Sequence, residues 1–314
     1  MYYPYFRGKQ YELITIRENA ELLKGAGFVP IIEPVKESLG GLKKTLSAIM
    51  EAEGDAIIIV NPYHGDHSHN AESILALFHD ELKDNKNISP GVLLTEEVNL
   101  EHAVSLCNGF SDRAITVIHS GFTEAKSFAQ ELGDKLAGMR HVFLQDTCGK
   151  LYQRHFKNAE RILLRDGFEK RTNREHPPVE FFSDLHATFE DEGMQGFGDF
   201  LIVGNDYSET GGPAYAVAIH LTFIDSSKDD EMHIHHFKSI RQDDPKDPAG
   251  KFAEALNEMV TETRKADNKI FISNAVKEFL DLHERGHFPG LGYVKKLSMQ
   301  HHIETLVDYF KQQL

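Results

Sequence analysis

Short apolar runs recur along the first two thirds of the chain, separated by longer amphipathic stretches. The runs show little alternation, which is typical of strands buried on both faces of a parallel sheet. We predict strands at residues 2–6, 29–32, 56–60, 92–94, 114–118, 141–144, 161–164 and 200–203. Apolar residues spaced three and four apart predict helices at residues 11–24, 42–52, 71–82, 100–107, 124–132 and 179–189.

Eight alternating βα units favour an α/β fold of the (β/α)8 TIM-barrel-like kind over a doubly wound open sheet, which the same pattern permits. After the eighth strand, alternating residues predict a β-hairpin insertion over residues 214–240. Helical periodicity returns at residues 249–265 and in a C-terminal helix over residues 294–314. We therefore expect one domain over residues 1–314.

Composition limits the classes of partner and compartment. Lys and Arg number 34 against 49 Asp and Glu, a net charge of −15, which argues against a broad nucleic-acid surface or binding to anionic membranes. Cys107 and Cys148 form no CxxC pair and suit a reducing cytosol. No signal-peptide pattern or membrane-spanning apolar run is present, so we expect a cytoplasmic protein.

Polar residues follow almost every predicted strand. In a (β/α)8 barrel the reactive groups lie where strands end and βα loops begin, at the mouth of the barrel. The residues at these positions are Arg7, Lys9, Glu33, Lys36, Asn61, Tyr63, His64, Glu96, Glu97, His119, Gln145, Asp146, Arg165, Asp166, Asn205, Asp206 and Tyr207. Strand ends are also polar simply because the chain leaves the core there. As a ring, however, these residues predict a candidate site at the mouth.

The first two strand ends suggest phosphate chemistry. Arg7 and Glu33 are costly to bury unless they pair, although such a pair is also compatible with a structural role. Basic residues that grip phosphate and carboxylates that hold a divalent ion are found together in phosphodiester-cleaving barrels. Phe6 occupies the place beside Arg7 where such enzymes would be expected to carry a histidine, so His119 is the candidate base.

The hydrolase hypothesis therefore assigns four groups of residues. Their roles are phosphate binding by Arg7 and Lys9, an ion site at Glu33, Asp166 and Asp206, base catalysis by His119, and further ligand contacts by Lys36, Asn61 and Gln145.

Histidines cluster in two segments. The loop sequence NPYHGDHSHN at residues 61–70 offers His64, Asp66 and His67 as ligands for a divalent metal ion, although a chance cluster is common in a chain with 18 histidines. The predicted hairpin carries His233, His235 and His236, of which alternation places His233 and His235 on one strand face, with His220 expected opposite. A solvent-facing polar edge is the alternative interpretation of the second group.

Three segments carry a resemblance to a known family. They are YYPYFRGKQYEL at residues 2–13, VPIIEPV at 29–35 and GFGDFLIVGNDY at 196–207. With these motifs the chain resembles bacterial relatives of the Beta protein of phage satellites, an accessory-genome family. The resemblance covers residues 2–223 and implies a barrel-like fold and a role beside a neighbouring gene product in defence or toxin–antidote modules. It highlights Arg7, Lys9, Glu33, Asp199 and Asp206.

Two functions follow from these observations. The first is a module component that acts through contact with a protein encoded by a neighbouring gene, for which the acidic surface and the C-terminal helices are available. The second is a metal-assisted hydrolase of a phosphodiester or nucleotide at the mouth. The sequence leaves open the substrate, the metal, the partner and the formation of a homo-oligomer.

Overall fold

The computed structural model describes residues 1–110, 112–209 and 212–313, and the chain divides into two compact units. The first unit contains Met1–Arg165 and Thr188–Asp199, and the second contains Asp166–Ala187 and Phe200–Leu314. The single-domain organisation expected for residues 1–314 stays a prediction. Across the described residues, no helix has both the length and the apolar character that crossing a bilayer requires.

The strands are numbered β1 to β11 in chain order. Their bounds are Tyr5–Phe6, Ile31–Ile32, Ala56–Ile59, Ile88–Thr95, Thr116–Ser120, Arg140–Leu144, Glu160–Leu164, Val179–Ser183, Gly196–Gly198, Ala218–Asp225 and Glu231–Lys238. The α-helices, α1 to α11, span Gln10–Glu18, Ala20–Ala26, Gly40–Glu51, Glu72–Ala76, Leu100–Asn108, Ala125–Leu132, Lys150–Gln153, Leu185–Thr188, Pro248–Thr263, Asn274–Arg285 and Leu291–Gln312. A π-helical turn, Leu77–Glu81, continues α4.

The first unit is a parallel β-barrel. Its eight strands follow the order β1-β2-β3-β4-β5-β6-β7-β9, and neighbouring strands pair in parallel. A parallel bridge between Tyr2 and Phe197 joins the last strand to the first, and the Tyr3 amide donates to the Phe197 carbonyl at 2.8 Å. This topology confirms the predicted barrel-like α/β fold and excludes a doubly wound sheet.

The closing strand differs from the prediction. Residues 200–203 form a turn, and the eighth barrel strand is instead β9, with the sequence Gly-Phe-Gly. A Cβ atom on Gly198 would overlap the Tyr3 carbonyl oxygen, and one on Gly196 would lie 2.8 Å from the Met1 carbonyl oxygen. The N-terminal segment therefore approaches β9 so closely that only glycine fits, and glycine gives no hydrophobic signal for a strand.

The second unit contains an antiparallel sheet in the order β10-β11-β8. The β10–β11 hairpin confirms the predicted insertion, but the helix expected at residues 179–189 is wrong, because Val179–Ser183 forms β8 and only Leu185–Thr188 is helical. The sequence His-Pro-Pro at residues 176–178 favours an extended chain directly before β8.

Three long helices complete this unit. Apolar residues of β10, β11, α9, α10 and α11 form one core, which includes Ile219, Phe237, Phe252 and Phe279. Helix α11 buries twelve of its side chains, so the C-terminal helix expected at residues 294–314 contributes to the core of this unit. Leu314 lies outside the described residues, and α10 was absent from the predicted elements.

Candidate functional site

The mouth of the barrel brings four residues of the predicted ring together, namely Arg7, Glu33, Tyr63 and His64. The fully buried Glu33 follows β2, and its Oε1 accepts hydrogen bonds from the backbone amides of Tyr63 and His64 at 3.0 and 2.9 Å. Nδ1 of His64 lies 3.1 Å from the same oxygen. Oε2 accepts from the Tyr5 hydroxyl at 2.9 Å and lies 3.4 Å from Arg7 Nε. The predicted Arg7–Glu33 ion pair is therefore present, and it lies at the centre of a buried network.

Glu33 is held in its charged form. Burial on its own would raise the pKa of this carboxyl, but the hydrogen bond from His64 and the guanidinium of Arg7 outweigh it, and the pKa lies below its ordinary value. Donors within the protein engage both carboxylate oxygens. The arrangement fixes the ends of the first three strands, and it leaves Glu33 a weaker candidate for holding an ion.

The histidine-rich loop is tied to the segment after β2. The Asp66 carboxylate accepts from the Glu37 amide at 2.8 Å, and Nε2 of His67 lies 2.9 Å from the Lys36 carbonyl oxygen. Gly65 has a φ of +76° and packs against Val35, where a Cβ would collide with backbone. The predicted ligands His64, Asp66 and His67 thus bond to separate groups, and this loop does not gather them around a common point.

Other predicted ligand residues have local partners. The Asn61 side chain bonds to both the amide and the carbonyl of Leu93 at 2.8 Å, which extends the pairing of β3 with β4. Gln145 is exposed and accepts from Arg165 Nε at 2.6 Å. Lys36 is exposed, and Lys9 is half-buried at the start of α1. The Asp199 carboxylate accepts from the Tyr2 hydroxyl at 2.7 Å.

His119 lies in the core rather than at the mouth. Its ring is fully buried, with Nδ1 2.7 Å from the Tyr152 hydroxyl and Nε2 3.0 Å from His141 Nδ1. It stacks on Phe143 and contacts Phe128 of α6 edge-on. Burial and the neighbouring His141 lower the pKa of His119 well below its ordinary value. The side chain points outward from β5 to the helix layer, so it lacks the solvent access that a base at the mouth needs.

The two predicted aspartates belong to the second unit, whereas Glu33 belongs to the first. Oxygens of Asp166 accept from the Phe168 amide at 3.0 Å and from the Asn205 amide at 2.6 Å. Asp206 is exposed and pairs with Lys170 at 2.8 Å. Within this unit the two carboxylates therefore bind different groups, and the ion site at Glu33, Asp166 and Asp206 stays a prediction.

The second unit contains a buried group that was not predicted from the sequence. Oε1 of Glu180 lies 3.2 Å from His176 Nδ1 and 3.0 Å from His236 Nε2. Arg171 Nη1 donates to both oxygens of Glu180, at 2.8 and 2.6 Å. His220 Nδ1 lies 2.7 Å from His236 Nδ1. We call His176, Glu180 and His236 the histidine cluster.

Pairing between strands builds the histidine cluster. Glu180 of β8 lies opposite Ile234 of β11, and the His236 amide donates to the Pro178 carbonyl at 2.8 Å. His220 of β10 is directly opposite His236. The expectation that His220 faces His233 and His235 is therefore wrong, because the register places His236 across from it.

The charge state of the cluster follows from its burial. Burial, with the neighbouring His176, lowers the pKa of His236 to about 4, and burial also lowers the pKa of His220 well below its ordinary value. Burial alone would raise the pKa of Glu180, but hydrogen bonds from Arg171 and His176 outweigh it. At neutral pH the cluster thus combines a carboxylate with a neutral His236.

A cleft of about 900 Å³ adjoins the cluster within the second unit. Its lining includes three cationic side chains, two aromatic rings and one histidine, namely Arg171, Arg174, Lys295, Phe168, Tyr215 and His220. Pockets of roughly 300–1,000 Å³ accommodate small organic ligands. We call this cleft the basic cleft. Arg171 and His220 border it and also bond to members of the histidine cluster.

No protein-family model matches the chain, and no curated protein gives a significant match. The resemblance to relatives of the phage-satellite Beta protein stays a prediction.

Proposed function

We propose that this protein binds a phosphate-bearing small molecule in the basic cleft. The observation that carries the proposal is the presence of Arg171, Arg174 and Lys295 around one cleft of a chain whose net charge is −15. In so acidic a protein, three cations gathered around one concave surface favour an anionic ligand electrostatically.

The lining also indicates what kind of anion fits. Guanidinium groups such as Arg174 match the oxygens of a phosphate with paired N–H donors. The rings of Phe168 and Tyr215, together with apolar residues such as Val294, offer surface for an organic group. A nucleotide or another phosphate ester can contact both the cationic side chains and the aromatic and apolar surface of the cleft. Inorganic phosphate can contact only the cationic side chains.

Calorimetric titration of the full chain with ADP and with pyrophosphate tests this proposal. Arg174→Gln should weaken ADP binding by roughly 10-fold or more, because a hydrogen bond to a charged group is worth about 1.5–3 kcal/mol. The matched control is Arg285→Gln, since Arg285 pairs with Asp281 on α10 and does not line the cleft. Absence of ADP binding, or equal loss in both variants, would overturn the proposal.

Hydrolysis at the barrel mouth has less support, because Glu33 is occupied by internal donors and His119 is buried. Action through a protein partner remains a second candidate. Strand β8 is at the edge of its sheet and exposes Val179 by 42% and Phe181 by 48%, on the same side of the strand. Phe181→Glu should then abolish co-purification with the product of the adjacent gene, and unchanged co-purification would argue against this surface.

A further inference from the structure

We propose that His176, Glu180 and His236 form a binding site for a divalent transition-metal ion of the zinc class. The site goes beyond the proposed ligand cleft and does not depend on it. Across the described residues, these three side chains are the group of His, Cys, Asp or Glu whose potential ligand atoms all lie within 4.8 Å of one another.

The distances suit a common ion. Two ligands that each lie about 2.1 Å from a tetrahedral ion are roughly 3.4 Å apart. The observed separations from Glu180 Oε1 are 3.2 Å to His176 Nδ1 and 3.0 Å to His236 Nε2. An ion between these side chains would replace the two contacts of the imidazoles with Oε1, and Arg171 would stay bonded to Oε2 of Glu180 at 2.6 Å.

The surroundings resemble the outer shell of a metal site. The second ring nitrogen of His236 bonds to His220, as ligating histidines commonly bond to an outer partner that fixes the ring. Phe168 packs against His176 and His220 at 5.2 Å between ring centroids. Such packing limits ring rotation and holds the donor atoms in place.

The donor set selects the class of metal. Two imidazoles and one carboxylate suit Zn²⁺ and neighbouring divalent transition metals, whereas Mg²⁺ and Ca²⁺ prefer oxygen ligands. The cluster contains no cysteine. Three protein ligands leave a fourth position for water or for another ligand, as in zinc sites that bind small molecules.

Zinc titration of the chelator-treated full chain, in buffer free of phosphate, tests the site. Wild type should bind one equivalent tightly, and Glu180→Gln should weaken that event by roughly 100-fold or more, given that even outer-shell changes cost 10–100-fold. His235→Gln is the matched control, because His235 lies on the same strand and stacks on Phe237, outside the cluster. Equal zinc binding by Glu180→Gln and wild type would overturn the proposal, as would a wild type with no tight site.

A measurement on wild type alone tests the site even if the Glu180→Gln variant fails to fold. Binding of Co²⁺ at this site should give visible absorption bands and paramagnetically shifted NMR signals from two histidines. Signals from no histidine, or from exposed ones only, would refute the site. Arg174→Gln should leave zinc affinity unchanged, so failure of the metal site and failure of the anion cleft give separate results.

Discussion

Replacement of Glu33 tests how the barrel mouth is held together. Glu33→Gln removes the negative charge beside Arg7, whose side chain is only 7% exposed, and presents an amide donor to groups that are themselves donors. Removing one partner of a buried ion pair costs about 3–5 kcal/mol, because the other charge stays buried without compensation. We expect the first unit to lose stability of this size at pH 7.

The assay must report on the first unit by itself, because a chain with two compact units need not unfold in one step. Cys107 and Cys148 both lie in this unit and are buried, and burial raises the pKa of Cys107 to about 12. Thiol labelling at increasing urea concentration therefore measures its unfolding. Glu37→Gln, at an exposed residue nearby, should change the stability by less than about 0.5 kcal/mol.

The effect should also depend on pH in a defined direction. The folded-state pKa of Glu33 lies below the ordinary value of 4.5. The stability that the ionised Glu33 contributes is therefore complete above pH 4.5, and it is lost as the pH falls through the lower folded-state pKa. A loss below about 1 kcal/mol in Glu33→Gln at pH 7, or a difference that does not shrink under acid conditions, would refute this account of the network.

Two further predictions concern the closing strand and a buried histidine. Gly198→Ala should destabilise the first unit by about 1–3 kcal/mol, because its Cβ would overlap the Tyr3 carbonyl, whereas Gly149→Ala, with open space around it, should stay within about 0.5 kcal/mol in the same labelling assay. Equal effects would argue against tight closure. Burial lowers the pKa of His301 from 6.5 to about 4, so the charging of His301 alone should cost the second unit up to about 3 kcal/mol as the pH falls from 6.5 towards 4, in addition to the contributions of His220 and His236. His301→Gln should reduce this loss of stability, as measured by urea unfolding at pH 7 and pH 4.5. An unchanged loss of stability would argue against the role of buried His301.

Much of the barrel was predictable because its strands are short apolar runs. Strands such as β3 and β6 have hydrophobic side chains on both faces, which a parallel sheet beneath helices requires. The closing strand was not predicted because it contains glycines, which give no hydrophobic signal. Gly196 and Gly198 are needed there because a Cβ atom at either position would collide with the N-terminal segment. The Arg7–Glu33 pair was predictable from the cost of burying either charge alone.

The histidine cluster was not predictable in the same way. Its members come from a segment before β8, from β8 and from β11, and only the strand register brings them together. The apolar spacing after Val179 suggested a helix, which would have separated Glu180 from His236. The one local signal was the pair of prolines at residues 177–178, which argued for extended chain there.

Hydrogen–deuterium exchange of the full chain with and without ADP tests the central claim most directly, because it locates the ligand on the molecule. Protection at residues 168–174 and 213–220 is the result expected for a ligand in the basic cleft. Protection confined to residues 5–9, 33–37 and 61–67, at the mouth of the barrel, would contradict the account.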